Sequence, residues 1–151
     1  MGFRGEALSS ISSISKIKCI SRIKEKDFAT SLEIKFGNII NKTNVGANYG
    51  TKIIINEIFY NIPARLKYLK KGKSEAGKIT QFIQSISLGY PEISFKLIID
   101  DSTRVITDGD NSQITNLIKF YKLNSLDFIK IDVKENNYQL FGYILSLIHI
   151  D

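Results

Sequence analysis

Gly2-Phe3-Arg4-Gly5-Glu6-Ala7-Leu8 is the stretch of this 151-residue chain that decides how the rest is interpreted. Glycine on both sides of an arginine lets backbone N–H groups approach an anion, and the helix formers that follow predict a helix N-terminus with partial positive charge. The guanidinium of Arg4 suits bidentate binding of phosphate oxygens, and Glu6 suits the first helical turn. A plain glycine turn before a helix is the commoner structure, so these residues alone leave phosphate contact open.

Downstream of this stretch, the spacing of apolar residues predicts short helices and antiparallel strands. Leu8, Ile11 and Ile14 form an apolar stripe at helical spacing. Residues 16–23, 28–36 and 51–56 read as strands, and the second of them alternates polar and apolar side chains as a half-buried strand does. Pro63 in the segment 61–65 predicts the start of a helix.

The second half of the chain continues the same mixture of helices and antiparallel strands. A helix is predicted from about Ser74 to Gly89, followed by a hairpin formed by residues 93–100 and 103–107. A polar linker at residues 108–112 suggests a domain boundary near Gly109, and a short helix and two strands, 126–133 and 138–145, come after it. The fold class that this order predicts is α+β.

Composition excludes several classes of protein. Apolar residues make up 43% and charged residues 24% of the chain, as in an ordinary globular protein. No apolar run approaches the roughly 20 residues that span a bilayer, and no secretory leader is recognisable. A single cysteine cannot make an intrachain disulfide, and together with a single histidine it argues against a zinc site. A reducing, cytoplasmic location is expected.

The positive charge of the chain is concentrated in one segment. The formal net charge is +6, which alone indicates little, but residues 64–78 contain six cations and one anion, a local net charge of +5. Such a segment is typical of a surface that follows a phosphate backbone, and a solvated helix face is the alternative.

Four blocks of the sequence resemble motifs of the MutL family of DNA mismatch repair proteins, which are GHKL ATPases. They occur in family order over roughly residues 2–145 and are GFRGEALSSI (2–11), GTKI (50–53), IFYNIPARLKYL (58–69) and YPEISF (90–95). The NIPAR block favours MutL over a type II topoisomerase subunit of the same superfamily. The resemblance implies a partial GHKL (Bergerat-type) ATPase α/β sandwich at 1–108 and the start of a ribosomal-S5-domain-2-like transducer domain at 109–145. Residues 146–151 do not resemble the family and are interpreted as a non-native tail.

The resemblance also implies which residues contact ATP. These are Gly2, Phe3, Arg4, Gly5, Ala7, Leu8 and Thr51. For Thr51 the alternative is a β-branched residue that fills a core position, and for Phe59 and Tyr60 a core role is the preferred interpretation.

The family binds DNA non-specifically through a basic groove, and this implies DNA contact by the basic segment. The residues expected to contact DNA are Arg65, Lys67, Lys70 and Lys71. At helical spacing the three lysines would share one helix face. Arg65 could instead pair with a carboxylate such as Glu57.

The family's catalytic glutamate, Mg²⁺-binding asparagine and Asp-x-Gly-x-Gly segment precede the first block and are not found in these 151 residues. We therefore expect an internal fragment of the N-terminal region with no catalytic residue or metal ligand, inactive as an ATPase by itself. The intact parent is expected to bind ATP with Mg²⁺, hydrolyse it slowly, form a homodimer, and act with DNA and a MutS-type mismatch recognition protein, away from membranes. A non-enzymatic basic DNA-binding module is the alternative.

Overall fold

The computed structural model describes residues 6–69 and 72–146, with only the backbone at residues 72 and 73. The chain forms two compact units, residues 1–69 and 70–151, and each is described by itself. Both units combine helices with antiparallel strands, which confirms the α+β class predicted from the sequence.

The first unit is a four-stranded antiparallel sheet preceded by a helix. Helix α1 (Glu6–Ser13) leads into β1 (Lys16–Arg22), β2 (Ala29–Lys35), β3 (Asn38–Val45) and β4 (Gly50–Asn56). The strand order is β3-β2-β1-β4, so β1 lies between β2 and β4. Ser21 of β1 is therefore directly opposite Thr30 on one side and Thr51 on the other.

Strand β3 was not predicted from the sequence. Lys35 pairs with Asn38, and the two residues between them, Phe36 (φ 46°) and Gly37 (φ 85°), both have positive φ. Two left-handed central residues are the signature of the tight hairpin turn whose twist matches that of the flanking strands. β3 is exposed along nearly its whole length, so it lacks the apolar alternation that marks a half-buried strand.

A loop with two residues in the left-handed backbone region connects β4 to the helix that begins at Pro63. Glu57 (φ 54°) and Phe59 (φ 62°) both take a conformation that bulky residues seldom adopt. Helix α2 (Pro63–Lys67) has proline in its first turn, as the sequence predicted.

The described part of the second unit contains two α-helices and two hairpins. Helix α3 (Gly72–Gly89) precedes the hairpin of β5 (Lys96–Ile99) and β6 (Ser102–Ile106), and α4 (Gln113–Tyr121) follows. A 3₁₀ turn (Ser125–Asp127) then leads into β7 (Phe128–Glu135) and β8 (Tyr138–Leu145). The predicted strand starting at residue 93 begins three residues later, because Ser94 and Phe95 bond to Thr107 outside the β-ladder.

The polar segment that suggested a domain boundary is hydrogen-bonded into the second unit. The Thr107 N–H donates to the Phe95 carbonyl at 2.9 Å, and the Asn111 N–H donates to the Pro91 carbonyl at 3.1 Å. Gly109 lies between these contacts with φ 71°. The proposed domain limits at residues 108 and 145 stay predictions.

Apolar burial is small in both units. Among the described residues, the almost fully buried apolar side chains are Ile17, Ala29 and Val105. By contrast, Ile53 and Ile55 on β4 are 48% and 43% exposed. The sheet of the first unit thus presents apolar side chains that the described residues of this unit leave partly uncovered.

Candidate functional site

Helix α1 carries the described part of the glycine-flanked block. Ala7 and Leu8 lie in its first turn and are exposed, with Leu8 40% exposed, and Glu6 is the acidic residue of that turn. Gly2, Phe3, Arg4 and Gly5 lie outside the described residues. The first turn of α1 is thus an exposed helix N-terminus, which suits contact with an anion.

The opposite end of α1 is held by the β2–β3 turn. The Gly37 N–H donates to the Ser12 carbonyl at 2.8 Å, and the Phe36 N–H donates to the Ser15 carbonyl at 3.0 Å. Ser15 is fully buried and its hydroxyl donates back to the Ile11 carbonyl. These bonds satisfy carbonyls that a helix end leaves without partners, so α1 is anchored at its C-terminal end while its N-terminal turn is exposed.

Thr51 stands near the start of β4 and is exposed among the described residues, and its contact with a nucleotide stays a prediction. Its Oγ1 lies 2.8 Å from the Oγ of Ser21, the residue directly opposite on β1. Sequence reasoning missed Ser21, although it predicted the strand, because only the register between β1 and β4 brings the two hydroxyls together.

A cleft of about 380 Å³ lies at the same end of the sheet, lined by residues 47–52 together with Ile20. Ile20 and Lys52 form the cross-strand pair next to Ser21 and Thr51. Because side chains alternate between the two faces of a sheet, Ile20 and Lys52 project from the face opposite to the one that carries the two hydroxyls. The cleft at this end of the sheet is therefore lined by residues from both faces, with Thr51 among them.

The loop at residues 57–61 is tied to the end of α1. The Phe59 N–H donates to the Ile14 carbonyl at 2.8 Å, and the Asn61 side-chain amide donates to the Ser13 carbonyl at 3.2 Å. Glu57 accepts from the Lys16 ammonium at 2.6 Å. Phe59 is half-buried, whereas Tyr60 is 65% exposed, so the core role preferred for Tyr60 is wrong.

Helix α2 presents two of the predicted DNA-contacting cations. Arg65 and Lys67 are both exposed, and within residues 6–69 and 72–146 neither takes part in an ion pair. Glu57, the carboxylate suggested as a partner of Arg65, pairs with Lys16 instead. The two cations are thus available to an external anion.

The prediction that one helix carries Lys67, Lys70 and Lys71 is wrong. α2 ends at Lys67, where the Tyr68 N–H closes the last turn on the carbonyls of Arg65 and Leu66. Lys70 and Lys71 lie outside the described residues. Their contact with DNA, and that of Arg65 and Lys67, stays a prediction.

The described residues bring no metal-ligand set together. No group of three or more His, Cys, Asp or Glu side chains that could hold a metal occurs within 6–69 and 72–146. In that part of the chain no helix is long and apolar enough to cross a membrane.

Comparison with curated proteins gives consistent relatives, although no protein-family model matches the chain. It is 39% identical over 133 residues to the DNA mismatch repair protein MutL of Carboxydothermus hydrogenoformans, covering 88% of the chain and 23% of that protein. It is 39% identical over 145 residues to MutL of Clostridium tetani, covering 95% of the chain and 23% of that protein. The chain thus spans under a quarter of the length of these relatives.

Comparison with solved structures locates the likeness within those proteins. The Aquifex aeolicus MutL ATPase domain complexed with ADP superposes with a TM-score of 0.78 at 29% identity, covering 85% of the chain and 52% of that domain. The N-terminal domain of a DNA repair protein superposes with a TM-score of 0.71 at 24% identity, which supports the fold alone. Sequence and structure together show that the chain belongs to the MutL family of DNA mismatch repair proteins, over a stretch that corresponds to part of their ATPase domain.

Proposed function

We propose that the protein to which this chain belongs binds ATP, hydrolyses it slowly, and uses the nucleotide to couple mismatch recognition to strand incision. The observation that carries this proposal is the likeness to a MutL ATPase domain solved with ADP, at 29% identity over 85% of the chain. Mg²⁺ would accompany ATP, held largely by phosphate oxygens and water as is usual for this ion, and we assign it no ligand among the described residues.

We place the nucleotide against the first turn of α1 and the start of β4. Ala7 and Leu8 lie in an exposed helix N-terminus, where backbone N–H groups and the helix dipole favour phosphate. Gly2, Phe3, Arg4 and Gly5 would complete this contact from the preceding residues. Thr51 would contribute an exposed hydroxyl from the sheet.

We place DNA on the basic segment that includes α2. Arg65 and Lys67 are exposed and without an ion-pair partner in the described part of the chain, so they are suited to phosphate oxygens. Lys70 and Lys71 would extend this surface. Contacts of this kind read no bases, and binding would be non-specific and salt-dependent.

The remaining partners follow from the family rather than from contacts in this chain. The intact protein would act as a homodimer in the bacterial cytoplasm together with a MutS-type mismatch recognition protein. The 151-residue chain alone would have no ATPase activity, because the family's catalytic glutamate and Mg²⁺-binding asparagine, which serve water activation, are not found in its sequence.

Two measurements test the nucleotide proposal. The intact protein should bind ADP, and Thr51→Ala should weaken that binding; Thr43→Ala, an exposed hydroxyl of β3 on the opposite face, is the matched control. The 151-residue chain should release no phosphate above background at saturating Mg-ATP. If the purified short chain turns over ATP, and this activity persists after host ATPases are removed and the chain is purified again, then it does contain a catalytic base.

The second candidate function is a DNA-binding module without a nucleotide role. The local net charge of +5 at residues 64–78 is the observation in its favour. Salt-sensitive duplex binding by the intact protein, with no ADP binding and no effect of nucleotide on DNA affinity, would support this alternative over the ATPase.

A further inference from the structure

The side chain of Ser21 makes a contact that the nucleotide proposal does not use. Its Oγ lies 2.8 Å from the Oγ1 of Thr51, and the two residues are direct cross-strand partners on β1 and β4. On its other side Ser21 is paired with Thr30 of β2. Three hydroxyl residues thus form a row across three adjacent strands.

This polar row lies at one end of a face that is otherwise apolar across β2, β1 and β4. Moving along the strands on the same face, the next row is Leu32, Cys19 and Ile53, and the row after it is Ile34, Ile17 and Ile55. Such a face is suited to packing against apolar groups along most of its length and to contacting a polar group at the end where the hydroxyl row lies. A hydroxyl that becomes buried at such a boundary needs a hydrogen-bond partner, and Ser21 and Thr51 supply one to each other.

We propose that Ser21 is a positioning residue for the nucleotide, which holds the Thr51 hydroxyl so that its proton points to a ligand oxygen. This inference rests on the proposed nucleotide role of Thr51. A hydroxyl has one proton and two lone pairs, so when Ser21 donates to Thr51 Oγ1, the Thr51 proton stays available for a second acceptor. An acceptor atom of the nucleotide at Thr51 would therefore select this arrangement over the reverse one.

The orientation matters because the Thr51 hydroxyl is exposed and would otherwise rotate among staggered positions. A cross-strand partner at 2.8 Å restricts that rotation before the ligand arrives. The hydroxyl group then loses its rotational entropy when the protein folds and not when the ligand binds. This increases the affinity without a new ligand contact.

The test measures ADP binding to the intact protein with Ser21→Ala, Ser21→Thr and Thr51→Ala, alone and combined. Ser21→Ala should weaken ADP binding about two- to tenfold, the range expected for one neutral hydrogen bond. Ser21→Thr keeps the hydroxyl and should restore affinity to within about twofold. In the Thr51→Ala background, Ser21→Ala should cause no further weakening, because the group that it orients is gone. Thr43→Ala controls for removal of an exposed hydroxyl elsewhere on the sheet.

The possible outcomes separate the positioning role of Ser21 from the nucleotide role of Thr51. If Thr51→Ala weakens ADP binding but Ser21→Ala does not, Ser21 has no positioning role and the nucleotide site stands. If Ser21→Ala weakens binding equally with and without the Thr51 side chain, it acts through the fold and the inference is overturned. If Thr51→Ala has no effect, both the role of Thr51 and that of Ser21 are refuted. ADP binding by the unmodified protein shows whether the nucleotide proposal itself stands. If that protein binds ADP, only the roles of Thr51 and Ser21 are refuted, and if it does not, the nucleotide proposal fails as well.

Discussion

Gly109 is the residue at which backbone conformation and packing most clearly exclude a side chain. Its φ is 71°, and a Cβ at this position would lie 2.8 Å from the Ser94 N and 3.2 Å from the Glu92 carbonyl oxygen. Both neighbours are backbone atoms, so they cannot move aside as a flexible side chain would. Gly109→Ala should therefore destabilise the second unit by about 1–3 kcal/mol.

The matched control for this change is Gly77→Ala. Gly77 lies inside helix α3, where an added Cβ would meet no atom within 4 Å. Alanine in a helix interior is favoured over glycine by roughly 1 kcal/mol, so this variant should be more stable. Thermal unfolding of the intact protein should show opposite shifts for the two variants. Equal shifts would mean that removal of glycine, and not the close approach to Ser94, is what matters.

Glu33 is a residue whose ionisation the fold changes. A hydrogen bond from the Lys18 ammonium, at 2.8 Å, and the charge of that ammonium lower the pKa of the Glu33 carboxyl. A lowered pKa in the folded state contributes stability above the ordinary carboxyl pKa, and this contribution is lost as the pH falls through the lowered value. Lys18 is exposed and Glu33 is only half-buried, so solvent screens the pair and the effect on stability is small.

Lys18→Met should return the pKa of Glu33 towards its ordinary value. NMR titration of the side-chain carboxyl carbon of Glu33 measures this directly, and added salt should reduce the difference between the two proteins. A Glu33 titration midpoint that does not change when Lys18 is replaced would show that the ammonium is not the cause.

At the scale of single elements, sequence patterns predicted those strands and helices that have their own local signal. The alternation from Phe28 to Phe36 marks β2, and Pro63 marks the start of α2. β3 could not be found in this way, because it is defined by the left-handed turn at Phe36 and Gly37 and by pairing with β2. Likewise, charge spacing suggested one basic helix, whereas backbone bonding ends α2 at Lys67. The pairing of Ser21 with Thr51 depends on register, which no single strand reveals.

The basic segment around α2 carries the prediction about DNA. Replacing Lys67, Lys70 and Lys71 by glutamate in the intact protein should weaken binding to duplex DNA strongly and to a similar degree for different sequences. The slope of log affinity against log salt should flatten by roughly one unit for each DNA phosphate that the variant no longer neutralises. The reason is that cations at phosphate release condensed counterions, whereas solvated cations do not.

A charge-matched triple variant separates this surface from the general charge of the protein. Lys26, Lys35 and Lys42 are exposed cations of the first unit outside the basic segment. Their replacement by glutamate changes the net charge equally and should alter duplex affinity much less. A comparable weakening in the two triple variants would mean that net charge, and not the basic segment, determines DNA binding.

At the scale of the whole molecule, the two units bury little apolar surface for the number of apolar residues they carry. Ile53 and Ile55 on the sheet of the first unit, and Ile129 and Ile144 on the hairpin of β7 and β8, are all between 43% and 55% exposed. The relatives are more than four times as long as the region matched here, since that region is 23% of their length. In the intact protein these faces would be covered by other parts of the same chain.

Removed from that context, the 151-residue chain should associate or fold only partly. Apolar patches of this kind are a cause of aggregation. The outer edges of β3 and β4 pair with no further strand among the described residues, so they would offer backbone groups to another chain. We expect light scattering of the purified chain to give masses above that of a monomer, together with strong binding of an apolar dye. Thermal unfolding should lack a single reversible transition. A monomer that unfolds cooperatively and refolds on cooling would show that the buried positions at Ile17, Ala29 and Val105 are sufficient to specify the fold without the faces being covered.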